Sequence, residues 1–301
     1  MKIHLGIKSD PIQMRYSYEW LFGLMNRLGI SHLQLGGFFE LPLLESDFFM
    51  NLREKAERMG VRIKSIFSAH REMSGFFWGD RYLEKAARTI YEKFIAAGAL
   101  LGADYAGSSA GSVPRDMLHT KQKGVECYYR HMTELMHTAE DAGLKGLTIE
   151  VMSCIAEPPT FPEEIESFMA FFREYHEKHG DSTVPVYLLG DISHGYADRN
   201  GKVIHSNRKL FERSIPYMCE FHFKNTDSIF NTTFGFSNEE PRGIVDLAAL
   251  KELIDKNAGR WPVQEVTGYL EHPGPKLGRD YSDYKLEKLL EDSVNALKRY
   301  F

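Results

Sequence analysis

Cysteine is scarce in this chain. Cys127, Cys154 and Cys219 are the only three in 301 residues, and no two stand in a C-x-x-C pair. That excludes a disulfide framework and a thiolate zinc ribbon, and a reducing, cytoplasmic setting is expected. An excess of basic charge is also missing: 37 Lys and Arg face 42 Asp and Glu, for a net charge of −5. A nucleic-acid backbone needs a cationic footprint, so nucleic acid is not an expected partner. No apolar run approaches the roughly 18 residues of a membrane span, and the alternating start Met1-Lys2-Ile3-His4-Leu5-Gly6-Ile7 has no signal-peptide core. A soluble, unprocessed protein without membrane contact is expected. Finally, Ser9-Asp10-Pro11-Ile12-Gln13 after the first apolar run lacks a glycine-rich dinucleotide turn, which argues against an open doubly wound sheet.

What the chain does have is a repeating grammar. With 43% hydrophobic residues it can bury one large core, and a single domain over 1–301 is expected. Short apolar runs at 3–9, 32–37, 61–68, 104–108, 146–152, 184–190, 220–225 and 261–266 read as strands. Segments with apolar residues three and four apart follow them at 18–28, 47–59, 81–101, 126–142, 162–179, 207–217, 246–257 and 281–300, and these read as helices. Asn26-Arg27-Leu28-Gly29, Glu57-Arg58-Met59-Gly60 and Glu140-Asp141-Ala142-Gly143 each place a glycine where a left-handed helix terminator belongs. Eight βα units predict a (β/α)8 TIM barrel, whose chemistry sits at the carboxyl ends of the strands.

Four polar residues close four successive strand runs: Glu150, Asp191, His222 and Glu265. Singly, a carboxylate after a strand is an ordinary helix cap or solvated loop charge. Their spacing of about one βα unit puts all four on one rim, where three carboxylates repel one another unless a cation lies among them. Three oxygen donors and an imidazole suit a divalent ion, with Mn²⁺ favoured over Mg²⁺, Co²⁺ or Zn²⁺. Strand alternation aims Lys224 to the same side as His222, toward substrate, and His70 with Arg71 closes the third strand on the same rim. Aromatics gather at 38–39, 48–49 and 76–78, and inserts at 195–206 and 226–241 lengthen the rim loops.

These residues resemble the xylose isomerase-like barrels of sugar isomerases and epimerases, which include the ketose 3-epimerases. Ile149-Glu150-Val151, Asp191-Ile192-Ser193-His194 and Phe221-His222-Phe223-Lys224-Asn225 match motifs of that family. The resemblance implies that Glu150, Asp191, His222 and Glu265 hold the metal and that Glu150 and Glu265 act as the acid–base pair. It also implies that His194 and Glu157 contact substrate and that the protein is a homo-oligomer, while Lys224 and His70, placed by their own strands, are further candidate binding residues. An arginine that commonly follows the metal histidine in the epimerases is replaced here by Ser228.

The expected activity is isomerisation or epimerisation of a small keto sugar or sugar derivative, by proton abstraction through a metal-stabilised enediolate. The alternative is a lyase of the same superfamily, an inosose dehydratase or the metal subunit of a C-glycoside deglycosidase, the latter with a small partner subunit. A barrel-type DNA-repair endonuclease and a non-catalytic sugar-binding protein fit less well, the first for want of histidines and basic surface.

Overall fold

Seven of the eight apolar runs become parallel strands close to their expected bounds, the eighth strand is displaced, and each strand is followed by a helix. The computed structural model describes residues 1–12, 15–36, 40–68, 71–273 and 283–301, except for the side chains of 71–73 and 283. The strands are β1 (Lys2–Lys8), β2 (His32–Gly36), β3 (Arg62–Ser68), β4 (Tyr105–Ser109), β5 (Gly146–Glu150), β6 (Val186–Asp191), β7 (Met218–Phe223) and β8 (Glu265–Leu270). The helices are α1 (Tyr18–Arg27), α2 (Ser46–Arg58), α3 (Arg81–Leu101), α4 (Lys121–Asp141), α5 (Pro162–Lys178), α6 (Asn207–Ser214), α7 (Leu247–Lys256) and α8 (Leu286–Leu297). The strand order β1-β8-β7-β6-β5-β4-β3-β2 closes on itself, which is the (β/α)8 TIM barrel. Backbone contacts divide the chain into two units, 1–36 with 54–63 and 190–301, and 37–53 with 64–189.

In the first unit β8 lies between β1 and β7. Lys2 pairs with Glu265 and Ile7 with Leu270 on one side, and Tyr269 pairs with His222 on the other. Side chains alternate along β7: Glu220 and His222 share one face, while Phe221 and Phe223 share the other. Phe221 meets Phe211 of α6 at 5.4 Å and Trp261 at 6.0 Å between ring centroids, and Phe223 meets Phe301 at 4.8 Å. Each such buried ring contributes about 1.5–3 kcal/mol by leaving water. Gly6 of β1 is required by close approach, since a Cβ there would meet the Tyr269 ring at 2.5 Å.

In the second unit β4 pairs β5 with Ser109 opposite Glu150, and β5 pairs β6 with Glu150 opposite Leu189. The aromatic run at 76–78 divides by role: Phe76 and Phe77 are buried against Tyr128 of α4, whereas Trp78 is half exposed. Phe48 and Phe49 stand edge to face at 5.4 Å, and positions 38–39 lie outside the described residues.

The three glycine terminators are as expected: Gly29, Gly60 and Gly143 have φ of 59°, 71° and 78°. Both rim inserts fold into small hairpins, Tyr196–Ala197 with Val203–His205 and Asn225–Thr226 with Thr233–Phe234. Among the described residues no helix is long and apolar enough to cross a membrane. One strand is out of phase with expectation. The eighth begins at Glu265, where 261–266 was predicted, because Pro262 has no N–H for a strand paired on both sides.

Candidate metal centre

The shift in β8 decides which glutamate reaches the site. Glu265 opens the strand beside Lys2, with its side chain 62% exposed and 3.3 Å from His4 Nε2. It therefore stands at the amino end, away from the residues it was expected to join, and its assignment as metal ligand and catalytic base is corrected. Glu271, the first residue after β8, takes that place. Its backbone N–H donates to Phe223 O at 3.1 Å, which holds it against the end of β7.

Glu150 ends β5, Asp191 ends β6 and His222 sits one residue before the end of β7. All three are buried, as is Glu271. Within the first unit, one ligand-capable atom from each of Asp191, His222 and Glu271 lies within 4.8 Å of the others, and Glu150 ends its strand in the second unit. The His222 ring is oriented from behind. Gln34 Nε2 donates to Glu220 Oε1 at 3.3 Å, so Gln34 Oε1 faces His222 and accepts from its Nε2–H at 2.7 Å. That leaves Nδ1 directed at the carboxylates, 3.1 Å from Glu271 Oε2 and 3.9 Å from Asp191 Oδ2. A buried carboxylate–imidazole arrangement with a fixed tautomer is how proteins present a nitrogen to a metal.

Two oxygens supply the test of fit. Asp191 Oδ2 and Glu271 Oε2 are buried and make no hydrogen bond of good geometry among the described residues. Both nevertheless have cationic neighbours: Lys224 Nζ is 3.2 Å from Asp191 Oδ2 and pairs with Glu271 Oε2. Buried oxygens of this kind, beside an imidazole nitrogen, are the donors a divalent cation requires, and the residues fit one. The other Glu271 oxygen is engaged, since Lys8 Nζ donates to Oε1 at 2.6 Å and also pairs with Asp10 at 3.0 Å.

Electrostatics keep these acids ionised. Burial alone would raise Asp191, but the charges of His194 and Lys224 outweigh it and hold the carboxyl below its ordinary range. Burial also opposes ionisation of Glu271, yet His222, Lys224 and Lys8 together hold it well below that range.

His194 Nε2 is 3.4 Å from Asp191 Oδ2, and Lys224 is buried rather than reaching into solvent. Glu157 follows Glu150 by seven residues. It lines a cavity of about 660 Å³ in the second unit with Ser74, Trp78, Ser112 and Arg115. His70 lies outside the described residues, and Ser228 is exposed at the turn of the second rim hairpin. Sequence reasoning missed Glu271, Lys8 and Gln34. The signal for Glu271 was present in Leu270-Glu271, an acid directly after a strand-ending aliphatic residue, as in Ile149-Glu150.

No protein-family model matches this chain, and no curated protein matches it. Solved structures do. One from Rhodospirillum rubrum, described provisionally as a xylose isomerase, is 19% identical with a TM-score of 0.78, covering 99% of each chain. D-psicose 3-epimerase from Clostridium cellulolyticum, solved with D-tagatose, is 14% identical with a TM-score of 0.70 over 100% of this chain and 99% of that one. The IolI protein, solved with a zinc atom, is 16% identical with a TM-score of 0.67 over the same shares. At these identities the likeness is one of fold alone, the (β/α)8 barrel.

Proposed function

We propose that this protein is a divalent-metal-dependent isomerase or epimerase of a small keto sugar or sugar derivative. The observation that carries the reading is the buried first-unit set Asp191, His222 and Glu271, with two of its oxygens making no hydrogen bond among the described residues, and Glu150 is proposed as the fourth ligand. The zinc atom of the IolI structure and the D-tagatose of the psicose epimerase structure are consistent with a metal and a carbohydrate as ligands. The mostly hard donor set favours Mn²⁺.

A bound dication supplies Lewis acidity, drawing electron density from neighbouring carbonyl and hydroxyl oxygens and so acidifying the C–H bond between them. The chain's residues do the rest. Glu150 and Glu271 come from separate strands, β5 and the end of β8, so one is assigned to remove the proton and the other to return it. Lys8 holds Glu271 Oε1, which leaves Oε2 to face His222 and Lys224. Lys224 and His194, both beside Asp191, are placed to steady negative charge that develops on substrate oxygen. Glu157 is assigned to a substrate hydroxyl, and an assembly of several copies is the proposed working form.

The test is incubation of metal-replete protein with keto sugars, their phosphates and inososes in deuterated buffer. Deuterium uptake at one carbon with conservation of the carbon skeleton is expected. Loss of water or release of a fragment would replace this reading with the lyase. Glu150→Gln and Glu271→Gln should each lower turnover by about 10²–10⁴-fold, the usual contribution of general acid–base catalysis. Substantial exchange by both variants would overturn the assignment.

A further inference from the structure

A second set of ligand-capable side chains lies within the second unit, between α3 and α4. Glu84 is in the first turn of α3, and Cys127 and His131 stand four residues apart on one face of α4. One donor atom from each lies within 4.8 Å of the others. The Phe76 ring stacks on the imidazole at 4.8 Å and 29°, which fixes its plane. His131 Nε2 then faces Glu84 Oε1 at 2.7 Å, while Nδ1 is buried and makes no hydrogen bond among the described residues.

We propose that Glu84, Cys127 and His131 form a second cation site, taking Zn²⁺ and pinning α3 to α4. A carboxylate, a thiolate and an imidazole are a borderline-soft donor set, and three protein ligands leave a fourth tetrahedral position for water. The C-x₃-H spacing on one helix aims sulfur and nitrogen the same way, and Glu84 closes the set from the neighbouring helix. Burial and the Glu84 charge push the Cys127 thiol up to about 11, so it is protonated until metal displaces that proton. The balance is simple: the thiol gives up its proton to solvent, and the imidazole proton moves from Nε2 to Nδ1 as Nε2 takes the metal. Arg130 currently holds the position of the cation, donating to Glu84 at 2.7 Å and to Cys127 Sγ at 3.5 Å. Its side chain is 59% exposed and can withdraw to water as the ion enters.

Cobalt(II) distinguishes the two sites, because the barrel-mouth set contains no sulfur. Co²⁺ titration of the full chain should give a sulfur-to-cobalt charge-transfer band in the near ultraviolet, bleached by Zn²⁺ and accompanied by proton release. The band should persist in Asp191→Asn, vanish in Cys127→Ser and weaken in His131→Asn and Glu84→Gln. Absence of the band, or its survival in Cys127→Ser, would overturn the second site whatever the barrel mouth binds. An independent measure is thiol alkylation followed by peptide mapping. Zn²⁺ should slow modification of Cys127 at least tenfold in the wild-type chain and leave it unchanged in His131→Asn, and equal rates with and without Zn²⁺ would likewise overturn the proposal.

Discussion

At the residue scale, the decisive contrast is between two glutamates six positions apart. Glu271 is buried among Lys8, His222 and Lys224, whereas Glu265 is exposed beside His4. Isothermal titration with Mn²⁺ should show binding largely lost in Glu271→Gln and within a few-fold of wild type in Glu265→Gln; equal losses would return Glu265 to the centre. A subtler prediction concerns Gln34, whose Oε1 accepts from His222 Nε2–H. Removing its Oε1 in Gln34→Leu leaves the His222 Nε2–H unsatisfied and frees the ring to turn, so Mn²⁺ affinity should fall about 10–100-fold. An unchanged affinity would show that the ring is held by packing alone. Glu150, Asp191 and His222 were legible in sequence because each closes an apolar run within one βα period. Gln34 and Lys8 were not, since a polar residue inside a strand gives no local sign that its partner lies over 180 residues away.

At the element scale, helix ends were legible where local chemistry alone sets them. The three left-handed glycines required only their own backbone, and Asp80 likewise caps α3 by accepting from Tyr82 N at 2.8 Å and Leu83 N at 3.0 Å. Asp80→Ala should cost about 1 kcal/mol, read as a lower urea midpoint with an unchanged slope. The phase of β8 was not legible because tertiary pairing sets it. Trp261-Pro262-Val263 is the more apolar stretch, but Glu265-Val266-Thr267-Gly268-Tyr269-Leu270 is the one that pairs with β1 residue for residue and with β7 from Thr267 onward. Gly268 weakens its strand signal, and the small residue at 268 is what neighbouring Phe221 and Phe223 require.

At the scale of the whole molecule, buried charge links stability to acidity. Glu271 has a folded pKa below its unfolded value of about 4.3, so the unfolded chain binds more protons in that interval. Its stabilising contribution is complete above the ordinary carboxylate range and is lost as pH falls through the depressed value. Metal-free protein should therefore lose thermal stability below about pH 4, and Glu271→Gln should flatten that part of the profile. A variant with the full wild-type slope would place the acid lability elsewhere, for example in Glu240, which burial would raise but which its hydrogen bond with His272 holds below the ordinary range.

The Lys8–Glu271 ion pair joins positions 263 residues apart. A nascent chain leaving the ribosome carries Glu150, Asp191 and His222 long before residue 271 has been made. On the proposed function, loading with metal is accordingly a late event in the protein's biogenesis, and fragments that stop short of β8 should compete poorly for the cell's free ions.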